Sequence, residues 1–177
     1  RVQRRTASAR EDAVGGVDYC EYDSMGYDGP IQINTYALIG KKEYLWARHI
    51  DTAQLIRERD ASLWSGAQRE RCATYVIEVK SKDPSFLYSR QIWYIDPETW
   101  QILYAERYDR SGKLWRILDQ FFFTGKGYNN VDLGQYTAIQ SIDVLNKHTT
   151  ILKSDMKLGA EFDMTLFTKE YLQKNGY

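Results

Sequence analysis

The sequence predicts a mainly β (α+β) domain in which a curved antiparallel sheet, folded as a meander, is accompanied by few helices. The chain contains 14 Tyr and 5 Trp among its 177 residues, and these residue types are enriched in β-strands. From residue 72 onward, turn sequences such as "KDPS", "DPET" and "DRSG" separate consecutive β-rich runs. Because short connections join antiparallel neighbours, strands that follow one another in the sequence are expected to pair.

The individual elements are predicted from residue alternation and from capping chemistry. The segment 51–71 has a helix-like composition, with Asp51 or Thr52 as its cap. Thr168 can cap a closing helix of sequence "KEYLQK". The strands predicted in chain order are 33–39, 42–48, 72–82, 86–95, 100–108, 113–123, one or two within 135–154, and 157–167.

The composition of the chain changes near residue 30. Residues 1–30 are polar and contain several Gly turns, which predicts an irregular N-terminal segment. Residues 31–177 are long enough to bury one core, so we predict a single domain there. The chain begins with Arg1 rather than Met, and we expect it to be part of a longer protein.

The charge balance gives no reason to expect a polyanionic partner. Lys+Arg and Asp+Glu both number 24, so the formal net charge is +0. Binding to nucleic acid or to an acidic membrane surface normally requires an excess of basic residues. No run reaches the roughly 18 apolar residues of a membrane-spanning helix, so we predict a protein that does not span the membrane.

The sequence offers little for catalysis. Its two histidines, His49 and His148, have no second ligand at metal-binding spacing. The stretch "TGKGYNN" (124–130) lacks the Lys-Ser/Thr of a phosphate-binding loop. We therefore predict neither an enzyme nor a cofactor. Cys20 and Cys72 have no zinc-type spacing, which leaves open both a disulfide between them and two unpaired thiols.

The turn "DPET" predicts which side chains share a face of the sheet. A four-residue connection places Ile95 opposite Trp100 and Trp93 opposite Ile102. Opposite residues of an antiparallel pair lie on the same face. The same register puts Tyr104 on this face, which therefore has an aromatic and aliphatic centre.

The turn that follows predicts how charges are distributed over the two faces. A three-residue "RSG" loop pairs Glu106 with Arg116 and Arg107 with Trp115, and it adds Leu118 to the first face. Neither face is then polar throughout, whereas a solvated antiparallel sheet normally has one polar face. We expect both faces to be covered, by a lipid-like ligand, by a partner, by another part of the protein, or by strong curvature of the sheet around its own core.

The same two hairpins resemble a known protein superfamily. The pattern is Ile-Asp-Pro at 95–97, a turn, Glu-x-Tyr-Asp at 106–109, Gly112 and an apolar strand from Leu114. It resembles the middle hairpins of the LolA-like superfamily, the outer-membrane lipoprotein-sorting proteins of Gram-negative bacteria.

Three segments resemble more closely the C-terminal half of an uncharacterised periplasmic family within that group. They are "YALIGKKEYLW" (36–46), "YSRQIWYIDPETW" (88–100) and "LFTKEYLQK" (166–174). The resemblance covers most of residues 30–174, and residues 49–71 fit it poorly.

The resemblance implies a half-barrel, with helices against the concave side of a curved sheet. It implies export to the periplasm and the handling of lipid or acyl chains, without catalytic residues to carry over. Because members of the group are often associated with RND-type exporters or outer-membrane β-barrels, it implies such partners here.

Two functional hypotheses follow. The first is a periplasmic lipid- or lipoprotein-binding carrier linked to outer-membrane trafficking. The second is a protein-interaction module that docks an RND exporter or an outer-membrane β-barrel without transporting a ligand. The candidate residues of a ligand-facing apolar surface are Trp93, Ile95, Trp100, Ile102, Tyr104 and Leu118.

Overall fold

The computed structural model describes residues 16–57, 63–126, 130–154 and 160–175. It contains a 7-stranded antiparallel sheet whose strand order is the chain order, so the predicted mainly β meander is confirmed. The strands are β1 (Asn34–Trp46), β2 (Glu70–Ser81), β3 (Arg90–Ile95), β4 (Ile102–Tyr108), β5 (Leu114–Lys126), β6 (Asp132–Asp143) and β7 (His148–Lys153).

The first two predicted strands are one continuous strand. β1 pairs with β2 over its whole length, and a β-bulge between Leu38 and Gly40 shifts the register in the middle. A bulge places an extra residue in one strand and so interrupts the alternation of side chains. This interruption is why the sequence indicated two strands where the structure has one.

The helix predicted for 51–71 is not formed in the described part of that segment. Thr52–Gln54 makes one 3₁₀ turn, and Ile56 forms an isolated antiparallel bridge with Ser65. Residues 58–62 lie outside the described residues. Tertiary packing and this bridge outweigh a helical propensity that was weak in the sequence.

The strand predicted for 157–167 is also wrong where the structure describes it. Met164–Phe167 is a 3₁₀ helix, and 157–159 lie outside the described residues. The closing helix is confirmed as α1, Lys169–Asn175. Thr168 caps it as predicted, because its Oγ1 accepts a hydrogen bond from a backbone N–H of the first turn at 3.2 Å.

Both faces of the sheet carry apolar clusters, as the residue pattern indicated. The cluster of one face, named the front face, contains Val79, Trp93, Ala105, Leu118 and Ile139. The cluster of the opposite face, the back face, contains Trp46, Cys72, Val76, Ile92, Tyr94, Leu103 and Phe122. Both clusters combine side chains from several neighbouring strands, so the sheet lies between two apolar layers.

Segments of the chain itself cover parts of both faces. Residues 16–33, named the N-terminal cover, lie on the front face, where Tyr19 and Tyr27 pack against the apolar cluster. Residues 47–57 and 63–69 lie on the back face, where the Trp64 indole N–H donates to a backbone carbonyl of β6 at 3.1 Å. The protein therefore provides part of the second layer on each side.

The N-terminal cover runs across the sheet from one edge to the other. At its beginning, the Asp18 backbone N–H donates to Thr150 Oγ1 of β7 at 2.9 Å. In its middle is a 3₁₀ helix, Glu21–Gly26, which contacts β4 and β5. At its end, the chain enters β1 at Asn34. The cover thus links the two edge strands of the sheet.

The predicted register of the β3–β4 hairpin is wrong. Trp93 lies opposite Ala105 and Ile95 lies opposite Ile102. The connection is longer than the "DPET" turn, because Trp100 adopts a left-handed φ of +59° and a β-bulge follows in β4. The extra residue places Tyr104 on the back face, opposite Tyr94.

The predicted cross-strand pairs of β4 and β5 are wrong for a similar reason. A register shift after Arg107 places this residue opposite Arg116, so the predicted Glu106–Arg116 ion pair does not form. The Arg116 guanidinium lies instead over the Trp115 ring, 4.3 Å from its centroid. Two arginines therefore meet on the front face, where they need a counter-charge.

The two cysteines are not joined. Cys20 and Cys72 are both buried free thiols. Cys20 lies in the N-terminal cover of the front face, whereas Cys72 belongs to the back-face cluster. The sheet therefore separates the two thiols, and the alternative of two unpaired cysteines is the one that the structure has.

Candidate ligand-binding site

A cavity of about 380 Å³ opens where the N-terminal cover meets the front face. We name this cavity, together with the residues that line it, the aromatic pocket. From the cover these are Tyr27, Asp28, Gly29 and Ile31, and from the sheet they are Tyr36, Trp93, Ile95, Trp100 and Ile102. A small-ligand site of this type is typically concave and mostly apolar, with few polar groups.

The two tyrosines of the pocket are held by a shared hydrogen-bond donor. The buried Asn34 amide donates to the Tyr27 phenol oxygen at 2.9 Å and to the Tyr36 phenol oxygen at 3.3 Å. The two phenols donate in turn to the carbonyls of Pro30 and Ile31. Since both hydroxyls are used within the protein, the rings are the part of these side chains that a ligand would meet.

The two tryptophans of the pocket differ in their surroundings. Trp93 is buried, its indole N–H donates to Gln91 Oε1 at 3.1 Å, and its ring contacts Tyr27 at a centroid distance of 5.1 Å. Trp100 is 69% exposed and stacks on Tyr75 at 5.8 Å with an interplanar angle of 7°. Trp93 therefore forms the floor of the pocket and Trp100 a solvent-accessible wall.

The position of Trp100 is determined by the turn before it. The buried Asp96 carboxylate accepts hydrogen bonds from the Thr99 backbone N–H at 3.2 Å and from the Thr99 hydroxyl at 2.7 Å. Arg48 forms an ion pair with the same carboxylate at 3.1 Å. The aspartate of the Ile-Asp-Pro motif is thus a structural residue that shapes the turn. Residues in a strained backbone conformation, such as Trp100, cluster at functional sites.

A buried ionic cluster holds the N-terminal cover on the sheet. Asp23 Oδ1 lies 2.8 Å from Arg107 Nε, and Asp23 Oδ2 lies 3.4 Å from an Arg116 terminal nitrogen. The Tyr88 hydroxyl donates to Asp23 Oδ2 at 2.7 Å, and an Arg107 terminal nitrogen donates to the Gly26 carbonyl at 2.6 Å. Asp23 is therefore the counter-charge for the two front-face arginines. Its contacts anchor the segment that continues into the pocket wall.

Burial within this cluster changes the acidity of its neighbours. Desolvation, together with the charge of Asp23, raises the pKa of the Cys20 thiol to about 12. The same two causes raise the pKa of the Tyr88 phenol well above its usual value. Both groups are therefore neutral at pH 7, and the Cys20 thiol has no thiolate character that would make it a nucleophile.

A second polar cluster joins the end of β1 to the β3–β4 turn. Arg48 contacts Glu70 at 3.1 Å and also pairs with Glu98. His49 has a positive φ of +49°, and its two ring nitrogens lie 2.8 Å from a Glu70 oxygen and 3.1 Å from a Glu98 oxygen. These contacts fix the start of the segment that follows β1 and lies on the back face.

The structure brings together four of the six predicted ligand-facing residues. These four are Trp93, Ile95, Trp100 and Ile102. Leu118 lies on the same face but is buried in the apolar cluster. Tyr104 lies on the back face and packs against the cluster there. That a ligand contacts any of the six stays a prediction.

The residues that the cover adds to the pocket were missed in the sequence. Tyr27, Asp28, Gly29 and Ile31 fall in a stretch that contains turn residues and no periodic apolar pattern. The one available signal was that Tyr27 and Ile31 flank the turn residues 28–30, and a packed loop without any ligand explains this pattern as well. Their role depends on long-range packing that a local pattern does not encode.

Two further properties bear on the site. No His, Cys, Asp or Glu cluster able to hold a metal ion occurs among the residues that the structure describes. Within the same residues, no helix has the length and apolar character needed to cross a membrane.

Comparison with known proteins identifies a family. The sequence profile described as "Protein of unknown function (DUF1329)" matches residues 1–175. The comparison with curated proteins gives no significant match.

Solved structures share the fold at low sequence identity. A domain described as an outer membrane lipoprotein-sorting protein from Vibrio parahaemolyticus has 16% identity and a TM-score of 0.66, with 98% of this chain and 61% of the other covered. A DUF1329 family protein from Desulfovibrio piger has 18% identity and a TM-score of 0.62, with 97% and 60% covered. A LolA superfamily protein from Nitrosomonas europaea has 19% identity and a TM-score of 0.51, with 93% and 60% covered. The chain therefore has the half-barrel fold of these proteins and spans about three fifths of their length.

Proposed function

We propose that this chain, which belongs to the DUF1329 family of proteins of unknown function, is a periplasmic carrier that binds a lipid or lipoprotein acyl chain. In this proposal the protein takes part in outer-membrane trafficking, and an RND-type exporter or an outer-membrane protein gives or receives the ligand. The neighbours described as lipoprotein-sorting and LolA superfamily proteins support carriage of a ligand rather than chemistry on it.

The observation that carries the proposal is the aromatic pocket. Its volume of about 380 Å³ falls within the range of small-ligand sites, roughly 300–1,000 Å³. Seven of its lining residues are aromatic or aliphatic, the other two being Asp28 and Gly29, and the hydroxyls of its two tyrosines already have partners within the protein. Such a surface gains more from an alkyl chain than from a polar metabolite, because burying a polar group without hydrogen bonds costs free energy.

A chain-length series of fluorescent fatty acids provides the direct test. Each methylene group that enters the pocket contributes about 0.8 kcal/mol. Removing two methylene groups is therefore expected to weaken binding by roughly 15-fold, until the chain no longer fills the pocket. Native mass spectrometry of the purified protein should show a bound acyl species that leaves when the probe is added.

Matched variants locate the binding site. Trp100→Ala is expected to weaken probe binding by at least tenfold, because it removes an exposed wall of the pocket. Phe167→Ala is the control, since Phe167 has a similar exposure, 64% against 69%, but lies outside the pocket. Equal affinities for the two variants, or no bound acyl species and no probe binding by the native protein, would disprove the proposal.

A further inference from the structure

One edge of the described sheet is open. β1 is the outer strand there, and within the described residues it pairs with β2 alone. Of its 13 residues, the first and the last, Asn34 and Trp46, are buried and the others are not. The large apolar side chains that it exposes, at 41% to 62%, are Tyr36, Leu38, Ile39, Tyr44 and Leu45. A long apolar edge strand presents unpaired backbone groups, which are a template for pairing with another chain.

The opposite edge of the sheet is better protected. β7 has six residues, and the four in its centre are half-buried. The N-terminal cover also contacts this strand, through the hydrogen bond between Asp18 and Thr150. Of the two edges, it is therefore β1 that keeps a long apolar surface for a further strand.

A recess of about 280 Å³ lies beside the second half of β1. It is lined by Glu43, Tyr44 and Leu45 of β1 and by Arg71 of β2. Consecutive side chains of a strand point to opposite faces of the sheet. A recess that touches three consecutive residues therefore follows the outer edge of the strand, where a docked segment would place its side chains.

The C-terminal segment, residues 160–175, has a second exposed apolar surface. Apart from Ala160 and Thr168, which are half-buried, all of its residues are exposed. Its large apolar side chains, exposed at 37% to 74%, are Phe162, Met164, Leu166, Phe167, Tyr171 and Leu172. The residue pattern predicted a strand over 157–167, yet residues 160–167 form none in the structure. This stretch therefore combines the residue pattern of a strand with the exposure of an unpaired one.

The centre of β1 has a positive charge without a partner. Lys41 and Lys42 are both exposed, and neither forms an ion pair within the part of the chain that the structure describes. The Lys41 ammonium lies over the Tyr75 ring, 4.5 Å from its centroid. Glu43 is compensated, because it lies 3.8 Å from Arg71. An acidic strand beside β1 would therefore meet uncompensated lysines.

The C-terminal segment has the complementary charge. Residues 161–164, "EFDM", alternate between acidic and apolar side chains. In an extended strand the two acidic side chains lie on one face, and the phenylalanine and the methionine lie on the other. Against β1, the acidic side chains can meet Lys42 on the back face while the apolar ones meet Leu38 and Leu45 on the front face.

We propose that the open edge of β1 binds the C-terminal segment of a second copy of this chain. Residues 160–167 add to β1 as a further strand, which is a common way for a sheet edge to bind an extended segment. Because each copy offers one edge and one segment, a two-fold dimer contains two such contacts. The inference goes beyond the proposed function and does not depend on it, since no ligand takes part. β1 also contributes Tyr36 to the aromatic pocket, so the dimer contact borders that pocket.

Sedimentation velocity of the intact chain measures this association. We expect a concentration-dependent equilibrium between monomer and dimer. Leu38→Lys places a charge on the edge strand and Met164→Lys places one on the segment, so each should raise the dissociation constant at least about tenfold. Leu145→Lys is the control, because Leu145 is 47% exposed in the turn between β6 and β7, and it should leave the dimer unchanged. Thermal melts by circular dichroism show whether each variant is folded.

A mixture of the two variants tests which surfaces meet. The Leu38→Lys copy keeps an intact segment and the Met164→Lys copy keeps an intact edge, so a mixed dimer retains one of the two contacts. We expect the equimolar mixture to associate more tightly than either variant alone. Lys42→Glu and Glu161→Lys should each weaken the native dimer severalfold, and their combination in one chain should restore it.

Three results would overturn the inference. A chain that stays monomeric at every concentration would show that a partner of another kind covers the two surfaces. A dimer that Leu38→Lys breaks and Met164→Lys does not would show that two β1 edges pair with each other. A mixture of the two variants that associates no more tightly than either alone would show that the segment does not dock on the edge.

Discussion

Loss of the buried Asp23 carboxylate is expected to lower the free energy of unfolding of this protein strongly. This carboxylate compensates Arg107 and Arg116, and it accepts hydrogen bonds from the Tyr88 hydroxyl at 2.7 Å and from the Cys20 backbone N–H at 3.1 Å. Asp23→Asn keeps the size and most of the acceptor capacity of the side chain but removes its charge. The substitution leaves two buried guanidinium groups without their counter-ion on the front face.

The expected magnitude follows from the burial of both partners. The side chains of Asp23 and Arg107 are each 1% exposed. Breaking a buried ion pair by removing one partner costs about 3–5 kcal/mol, because the remaining charge stays desolvated. For a chain of 177 residues, each kcal/mol lowers the melting temperature by about 2–4 °C, so a decrease of roughly 6–20 °C is expected.

Urea denaturation and thermal melts of four variants, including the double mutant Asp23→Asn/Arg107→Met, test this reasoning. Asp83→Asn is the control, because Asn can keep the turn contacts of an exposed Asp83, and it should change the free energy of unfolding by less than about 0.5 kcal/mol. A double-mutant cycle with Arg107→Met should give a coupling of more than about 1 kcal/mol. A loss below about 1 kcal/mol for Asp23→Asn, or strictly additive effects in the cycle, would refute the role given to the ionic cluster.

Three further predictions concern single positions. Gly26 has a φ of +94°, and a Cβ added there would lie 2.7 Å from the Ile102 Cβ, so Gly26→Ala should destabilise the protein by more than about 2 kcal/mol in urea denaturation. Gly112→Ala is the control, because Gly112 has a φ of +81° but no atom lies within 4 Å of the added Cβ, so the variant should lose only about 1 kcal/mol from the backbone conformation. Equal losses of stability for Gly26→Ala and Gly112→Ala would refute the steric argument. The pKa of the Cys20 thiol is raised from 9.0 to about 12, so its contribution to stability is complete below pH 9 and is lost as the pH rises toward 12. The free energy of unfolding of Cys20→Ala should therefore decline less steeply between pH 9 and pH 12 than that of the native protein, and an equal slope would contradict this assignment. Burial raises the pKa of the Asp119 carboxyl above its ordinary value of 3.8, although Arg69 contacts it at 2.6 Å. Its contribution to stability is therefore complete at low pH and falls as the pH rises above about 4, so the stability of Asp119→Asn relative to the native protein should rise over the same interval, and a relative fall would contradict the sign.

The order of the strands could be predicted because each connection has its own local chemistry. Asp109 accepts hydrogen bonds from the Ser111 and Lys113 backbone N–H groups, which is the kind of turn that "DRSG" indicates. The register could not be predicted, because it depends on bulges and on the left-handed conformation of Trp100. A single inserted residue moves a side chain to the other face, and this is why Tyr104 was assigned to the wrong side.

The sequence predicted the side of the aromatic pocket that the sheet forms, but not the side that the N-terminal cover forms. Trp93 and Ile102 belong to strands with a recognisable pattern, so their shared face was within reach of sequence reasoning. The opposing wall comes from the N-terminal cover, whose position depends on the contact between Asp23 and Arg107, residues distant in sequence. Long-range ionic contacts leave no local periodicity, so the sequence indicated an apolar second layer without showing which segment forms it.

The N-terminal cover also determines when the pocket can form during folding. Its first anchor joins Asp18 to Thr150, which are 132 positions apart in the chain. Most neighbouring strands of the meander close through short loops, the β1–β2 connection of residues 47–69 being the long one, and local contacts form before distant ones. During synthesis the cover leaves the ribosome before the strands of the sheet, yet its contact with Thr150 cannot form until β7 has been added to the sheet. The front face is therefore exposed to solvent until the strands that hold the cover are in place, and the aromatic pocket is expected to assemble only after β4 and β5, which carry Arg107 and Arg116, have joined the sheet.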